Sequence, residues 1–189
     1  PLADALELIP PTLEGAALKY AINGLLSLTP DGMPLLGETP EVKGLWSAAA
    51  VWIKEGPGVG KLLAEWMTDG YPELDPHQSD IARFYDYART THHIEARCSE
   101  HFNKTYGIVH PREQWESERG LRVAPFHTRT QELEAVYFQA GGWERPQWYG
   151  INAPLVDSYG VEDRPHEWDR RWWSPIINAE HLQQIGRAH

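Results

Sequence analysis

Residues 51–61 read VWIKEGPGVGK. An apolar run stops, three glycines and a proline follow within five residues, and a helical pattern begins. A helix N-terminus offers unpaired N–H groups and a partial positive charge. Glycines let a ligand approach the backbone closely. Together they suit a phosphate, or an electron-rich carbonyl that gains negative charge on reduction. The stretch is not a Walker loop, because no Lys-Ser/Thr pair follows at the right distance. It is not the dinucleotide fingerprint either, because the glycine spacing differs and no acidic residue ends a following strand. A strand-to-helix turn without a ligand explains the same residues, so both readings stand at this point.

A second group of chemical interest is His92, His93, Glu95 and His101. His93 and His101 fall two helical turns apart, too far to share one ion without other ligands, and no HExxH spacing exists. The expectation is a solvated helix face and no metal. Cys98 lies on the apolar side of the same segment, where a thiol is ordinarily inert core. WERPQWY and WDRRWW mix arginine with aromatics, which predicts Arg–Trp stacking within a core or interface.

The elements that must hold these groups follow from the apolar patterns. The segment 24–38, GLLSLTPDGMPLLGE, has two short apolar runs around a Thr-Pro-Asp-Gly turn. GLWSAAAVWI, residues 44–53, is a nearly continuous apolar run and predicts a strand covered on both faces, as in a parallel or mixed sheet. Val59, Leu62, Leu63, Trp66 and Met67 share one face of a helix that begins near Gly58 and ends at Gly70. A turn-rich stretch at 69–80 divides the chain. Beyond it, Ile94, Cys98, Phe102 and Tyr106 recur every fourth residue and predict a helix over 91–106. GLRVAPFHT, ELEAVYFQA and WERPQWYGI read as extended. Val136 and Phe138 alternate with Ala135, Tyr137 and Gln139 as in a strand with one buried face, turning at Gly141-Gly142. Residues 157–169 read as loop, and NAEHLQQIG starts a further helix. The fold class is α+β, with mixed or antiparallel sheet segments and two main helices.

The totals narrow the function. The formal net charge is −10, which argues against nucleic acid and against an anionic membrane surface. Nine tryptophans point to large aromatic contacts or an interface. One cysteine makes no internal disulfide and fits a reducing compartment. No stretch is long enough to span a bilayer.

The stretch GLLSLTPDGMPLLGETPEVKGLWSAAAVWIKEGPGVGKLLAEWMTDG resembles the last part of the FAD domain of the dimethylglycine and sarcosine dehydrogenases and oxidases. SDIARFY, YGIVHPREQWESERGLRVAPFH, AVYFQAGGWERPQWY and WWSPIINAEHL resemble the next segments of those enzymes, in the same order. The resemblance implies an FAD-domain end over 1–75, a small central antiparallel-sheet domain over 76–165, and from 166–189 the start of a folate-binding module similar to an aminomethyltransferase. It thus implies an internal fragment of a longer enzyme, in the cytoplasm or the mitochondrial matrix.

The resemblance also implies a reaction: a hydride passes from an N-methyl carbon to the flavin, and the iminium is hydrolysed to formaldehyde or handed to tetrahydrofolate. In that family the loop equivalent to Ile53, Lys54, Glu55, Gly56, Pro57, Gly58, Val59 and Gly60 lies against the flavin ring, with Lys54 its one fixed cation. Asn23 and Gly24 border the substrate side. The family's GxGxxG turn, acidic ribose ligand and flavin-attachment histidine have no counterpart in this sequence, so FAD binding by this chain alone is not expected and no catalytic acid, base or nucleophile is assigned. The other function class is an interaction or structural module that keeps the fold without flavin. A sheet lacking its neighbouring half is expected to self-associate through residues 45–67.

Overall fold

The computed structural model describes residues 15–187 together with Glu7. The chain is α+β. Strands β1 (Leu35–Glu38) and β2 (Trp46–Ala49) form an antiparallel hairpin with Leu36 opposite Ala48 and Glu38 opposite Trp46. A Thr29–Met33 turn precedes it. The Thr29 hydroxyl donates to the Met33 carbonyl at 2.7 Å, and Asp31 accepts from the Met33 N–H at 3.1 Å.

Helix α1 (Gly56–Asp69) lies against this hairpin. Trp66 reaches Gly37 of β1 and meets Trp46 of β2 edge to face, ring centroids 5.8 Å apart. Gly37 has φ 104°, and a Cβ there would stand 2.8 Å from Trp66 Cη2. The strand therefore needs glycine twice over, for its dihedral and for the indole. Gly70, at φ 83°, ends the helix with its N–H on the Trp66 carbonyl at 3.1 Å.

Two expectations for this half need correction. The apolar run 45–53 is not one strand covered on both faces. β2 stops at Ala49, and Ala50 adopts φ 55°, which breaks the pleat and turns the chain out of the sheet. Among the described residues ladder pairing is antiparallel in both sheets, and parallel pairing is limited to the isolated bridges Leu36–Asp80 and Val123–Glu144. The apolar run before Thr29, whose pattern reads as a strand, pairs with nothing among the described residues and forms none; residues 15–27 are exposed coil.

The chain then returns along β1, where the Leu36 N–H donates to the Ser79 carbonyl at 2.8 Å. Asp80 caps a 3-10 turn, Ile81–Arg83, by accepting from the Ala82 N–H at 2.8 Å. Arg83 forks onto Asp31, Nε to Oδ2 at 2.7 Å and Nη2 to Oδ1 at 2.9 Å, and also donates to the Met33 carbonyl. This clasp ties the first turn to the start of the second half.

Helix α2 (Thr91–Thr105) begins at Thr90, whose hydroxyl accepts from the His93 N–H at 3.3 Å. Its burial reverses the expected one. Ile94, Phe102 and Tyr106 are exposed, whereas His93 and Arg97 are buried. Tertiary partners decide this: Arg97 donates to the Glu118 carbonyl at 3.0 Å and to Gln139 at 2.7 Å.

Helix α3 (His127–Glu132) occupies part of a segment read as extended. Strands β3 (Ala135–Ala140) and β4 (Trp143–Tyr149) pair antiparallel around Gly141-Gly142, as expected. A bulge between Val136 and Tyr137 puts Pro146 opposite Tyr137, where a residue without an N–H is tolerated. That bulge upsets the expected alternation: Val136 is exposed while its neighbours are half-buried. Glu144 is 4 % exposed. Its carboxylate accepts from Arg119 Nε at 2.8 Å, Arg119 Nη2 at 2.5 Å and the Gly120 N–H at 2.8 Å. Arg119 in turn donates to the Trp115 and Tyr137 carbonyls. One ion pair thus fastens the 115–120 loop to both strands.

Short helices α4 (Pro154–Tyr159) and α5 (Glu167–Arg170) occur where loop was expected, and α6 (Pro175–Arg187) is long. Among the described residues three long helices, not two, dominate. Glu180 of α6 accepts from the Tyr149 N–H at 2.9 Å and from Asn152 at 2.7 Å, so α6 docks on the end of β4. Arginine does meet the tryptophans of both aromatic stretches, but mostly from outside them: Arg122 lies 4.2 Å from the Trp143 ring and Arg164 4.5 Å from that of Trp173, while Arg171 is 5.9 Å from Trp172.

Candidate functional site

The left-handed turn at Ala50 aims residues 51–55 away from the hairpin. Val51 and Trp52 stay half-buried, and a single 3-10 turn, Ile53–Glu55, leads into α1. Ile53 is 99 % exposed, an apolar side chain with no cover. The Trp52 N–H donates to the Glu55 carboxylate at 3.2 Å, and Lys54 is paired with the same carboxylate while lying 5.0 Å from the Trp52 ring. The Lys54 hydrogen bond, then that of Trp52, lowers the Glu55 pKa.

Helix α1 begins at Gly56, two residues before the expected start. The Gly56 N–H closes onto the Ile53 carbonyl, Pro57 has no N–H, and no side chain caps the helix. A Cβ on Gly56, Gly58 or Gly60 would meet nothing within 4 Å. The backbone here is bare: a flat group can press against it, and negative charge at its edge is favoured by the helix dipole. Lys54 adds less than its charge implies, because Glu55 already neutralises it. Val59 is half-buried. The structure thus brings Ile53, Lys54, Glu55, Gly56, Pro57, Gly58, Val59 and Gly60 into one continuous turn. Asn23 and Gly24 are exposed, and among the described residues no hydrogen bond ties them to that turn.

The fit to a flavin is partial. A planar ring suits the open glycine face and the apolar Ile53, while no pyrophosphate cradle occurs among the described residues. Residues 69–124 match the FAD dependent oxidoreductase central domain. Residues 69–124 belong to that central-domain family. It is a relative of the sarcosine and dimethylglycine dehydrogenases. It is 35% identical over 176 residues, 90% of its length, to the 4-methylaminobutanoate oxidase (formaldehyde-forming) of Paenarthrobacter nicotinovorans, and covers 21% of that protein. It is 35% identical over 167 residues to the mitochondrial sarcosine dehydrogenase of Homo sapiens, 83% of this chain and 18% of that one. It is also 30% identical over 183 residues to the mitochondrial pyruvate dehydrogenase phosphatase regulatory subunit of Mus musculus, 95% of this chain and 20% of that one. The chain therefore spans about a fifth of the length of these relatives.

The central-domain match holds α2 and the 107–124 loop but not the 50–60 turn. Within it the histidines are not one solvated face. His92 pairs with Glu118 at 3.0 Å, and His101 abuts Gly32 and tilts against Trp115. His93 is buried under the edge of Tyr87, ring centroids 5.5 Å apart. Burial first, then the Arg97 charge, lowers its pKa. Among the described residues no three His, Cys, Asp or Glu side chains cluster as metal ligands. Burial raises the Cys98 pKa, with Asp31 adding to it, so the thiol stays protonated and unreactive at neutral pH. Sequence reasoning passed over Arg97 and Arg122. The i, i+4 spacing of Arg97 from His93 on a helix was the available signal. No helix among the described residues is long and apolar enough to cross a membrane.

Proposed function

We propose that the 50–60 turn is one wall of a flavin site, and that the chain serves an FAD-dependent oxidoreductase that demethylates an N-methyl amino acid of the dimethylglycine or sarcosine type. The observation that carries this reading is the uncapped start of α1, where open space fronts Gly56, Gly58 and Gly60. The activities of two relatives, a formaldehyde-forming methylaminobutanoate oxidase and a sarcosine dehydrogenase, support it. When bound, the flavin would take a hydride from the N-methyl carbon, with formaldehyde or methylene-tetrahydrofolate as the one-carbon product. Ile53 would give the ring an apolar surface, the Gly56–Gly60 backbone would meet it closely, and the α1 dipole would favour negative charge at its edge. Asn23 and Gly24 would border the substrate. Residues 1–75 would close the FAD domain, 76–165 form the central domain and 166–189 open the folate-binding module. The mitochondrial relatives make the mitochondrial matrix one candidate location, beside the cytoplasm. The uncovered Leu45, Ile53 and Met67 would pair two copies of the chain.

A second reading has one observation in its favour: the relative named a regulatory subunit matches 95% of this chain. On that reading the chain is an interaction module without flavin. Lumiflavin fluorescence separates the two. A ring wall binds lumiflavin weakly but saturably, does not bind ADP, and loses lumiflavin when Gly58→Val fills the open face. Equal behaviour of the wild-type and Gly58→Val chains rejects the flavin wall and favours the interaction module.

A further inference from the structure

A cavity of about 660 Å³ lies between the Thr29–Met33 turn, the 77–88 segment, α2 and the β3–β4 turn. It is remote in sequence from the 50–60 turn and shares none of its residues. Its size is that of a small-molecule site. Its charges are unusual for a chain of net charge −10. Arg97 is 3 % exposed and lines it. Both of its hydrogen bonds leave from Nη2, to the Glu118 carbonyl and to Gln139, and Nε has no partner. Arg122 also lines the cavity, held between the Tyr85 ring at 4.0 Å and the Trp143 ring at 4.2 Å. Among the described residues the one hydrogen bond of its side chain is to the Gly141 carbonyl at 3.2 Å. Among the described residues no carboxylate comes within 4 Å of either guanidinium, although Glu100 and Glu118 act on Arg97 from farther off. His93, 5 % exposed, adds an Nδ1 without a hydrogen bond, its nearest acid being Glu118 at 3.6 Å.

The acids on the cavity wall do not answer these cations. Asp31 is held in the Arg83 fork, and Asp80 is spent on the Ala82 N–H. A buried cation whose acids stand beyond contact is only partly compensated, and a buried donor without an acceptor is costly. An anion in the cavity would remove both costs. Aromatic rings make up part of the remaining wall, beside Met33, Ala82, Ala88, Gln78 and Gln139. Trp115 lies 4.8 Å under the Arg97 guanidinium, and Tyr85 and Trp143 flank Arg122. Such walls favour a flat apolar body. Gly142, at φ 79°, brings the β3–β4 turn against the Tyr87 hydroxyl, which narrows the floor.

We propose that this cavity binds a small organic carboxylate, its head on Arg97 and Arg122 and a flat apolar body against Trp115 and Trp143. The ligand is a planar monocarboxylate, for which benzoate is the probe. The assay is calorimetric titration of the whole chain with benzoate, benzylamine and inorganic phosphate, each also read as a thermal shift. Benzoate should bind saturably and raise the melting temperature, and benzylamine, of the same shape and opposite charge, should not. Arg122→Gln should weaken benzoate roughly tenfold or more, the scale of one charge-assisted hydrogen bond. Arg129→Gln, on exposed α3 and paired with Glu132, should leave it unchanged. Arg97→Gln should act like Arg122→Gln; because Arg97 is buried and can be needed for folding, Arg122→Gln carries the test. No benzoate binding, equal binding of benzylamine, phosphate binding without benzoate, or equal weakening by Arg129→Gln each overturns the proposal.

Discussion

Replacing Glu144 by Gln keeps the shape of the side chain and removes its charge. The wild-type carboxylate is nearly fully buried in β4 and takes three donors, two from Arg119 and one from Gly120. An amide presents an NH2 where one of the Arg119 donors now finds an oxygen, so one contact is lost and donors face each other. Breaking a buried ion pair costs about 3–5 kcal/mol. Arg119 keeps some solvent contact, 27% of its side chain, which puts the expected loss at the low end, about 3 kcal/mol. With a urea slope of about 2 kcal/mol/M, the unfolding midpoint should fall by about 1.5 M at neutral pH, slope unchanged. The pH dependence comes from the same pair. The Arg119 hydrogen bond chiefly holds the Glu144 pKa below its ordinary value, against the opposing effect of burial. A carboxylate depressed in the folded state contributes stability that is present above its unfolded pKa and lost as pH falls through the folded one. The gap between wild type and Glu144→Gln should therefore close below about pH 4.3. The double variant Arg119→Met/Glu144→Leu should lose less than Glu144→Gln, because no charge is then left buried alone. A Glu144→Gln midpoint within about 0.25 M of wild type, or a gap that does not change with acid, would refute the account.

Gly37→Ala should destabilise by roughly 3 kcal/mol, from the dihedral strain at φ 104° and the collision with Trp66; a melting temperature lowered by less than about 2 °C contradicts the packing of α1 on the hairpin. Gly58→Val should leave the stability of this chain almost unchanged, since nothing lies near its Cβ. It should still lower the flavin content of a flavin-loaded protein that carries this turn, and full flavin at normal reduction rates argues that the turn does not touch the ring. The isolated chain should bind FAD weakly or not at all, and sub-micromolar affinity by titration contradicts a single wall. It should also self-associate through the region of Leu45, Ile53 and Met67, with sedimentation equilibrium at micromolar concentration returning a clean monomer if that face is inert.

Local pattern served well wherever the neighbours of an element are close in sequence. The helix around Leu62 and Trp66 and the hairpin turning at Gly141-Gly142 were legible because their partners lie within a few tens of residues. The 50–60 turn was legible as chemistry for the same reason: glycine, proline and the start of a periodic run sit side by side. Where distant partners decide, the pattern misled. The Ile94–Phe102–Tyr106 stripe reads as core, yet Glu118 and Gln139 draw the opposite face of α2 inward through Arg97. The apolar run through Ala50 reads as one strand because nothing in residue type announces a left-handed alanine. The cavity escaped notice because Arg97, Arg122 and Trp143 are far apart along the chain and meet only once two turns and a helix are folded.

The Asp31–Arg83 fork has a consequence for the order of assembly. Its partners are 52 residues apart, and closing such a loop costs about 3.5 kcal/mol of chain entropy, more than a part-exposed ion pair returns. The fork alone does not hold that loop shut; the burial of Leu36 and its N–H bond to Ser79 supply the rest. All of these residues precede position 84. At roughly 5–20 residues per second, a ribosome finishes them several seconds before it completes β4, ample time for a hairpin that pairs in microseconds. The half bearing Asp31, Arg83 and Leu36 can lock during translation, and the later strands then fold onto a wall already in place.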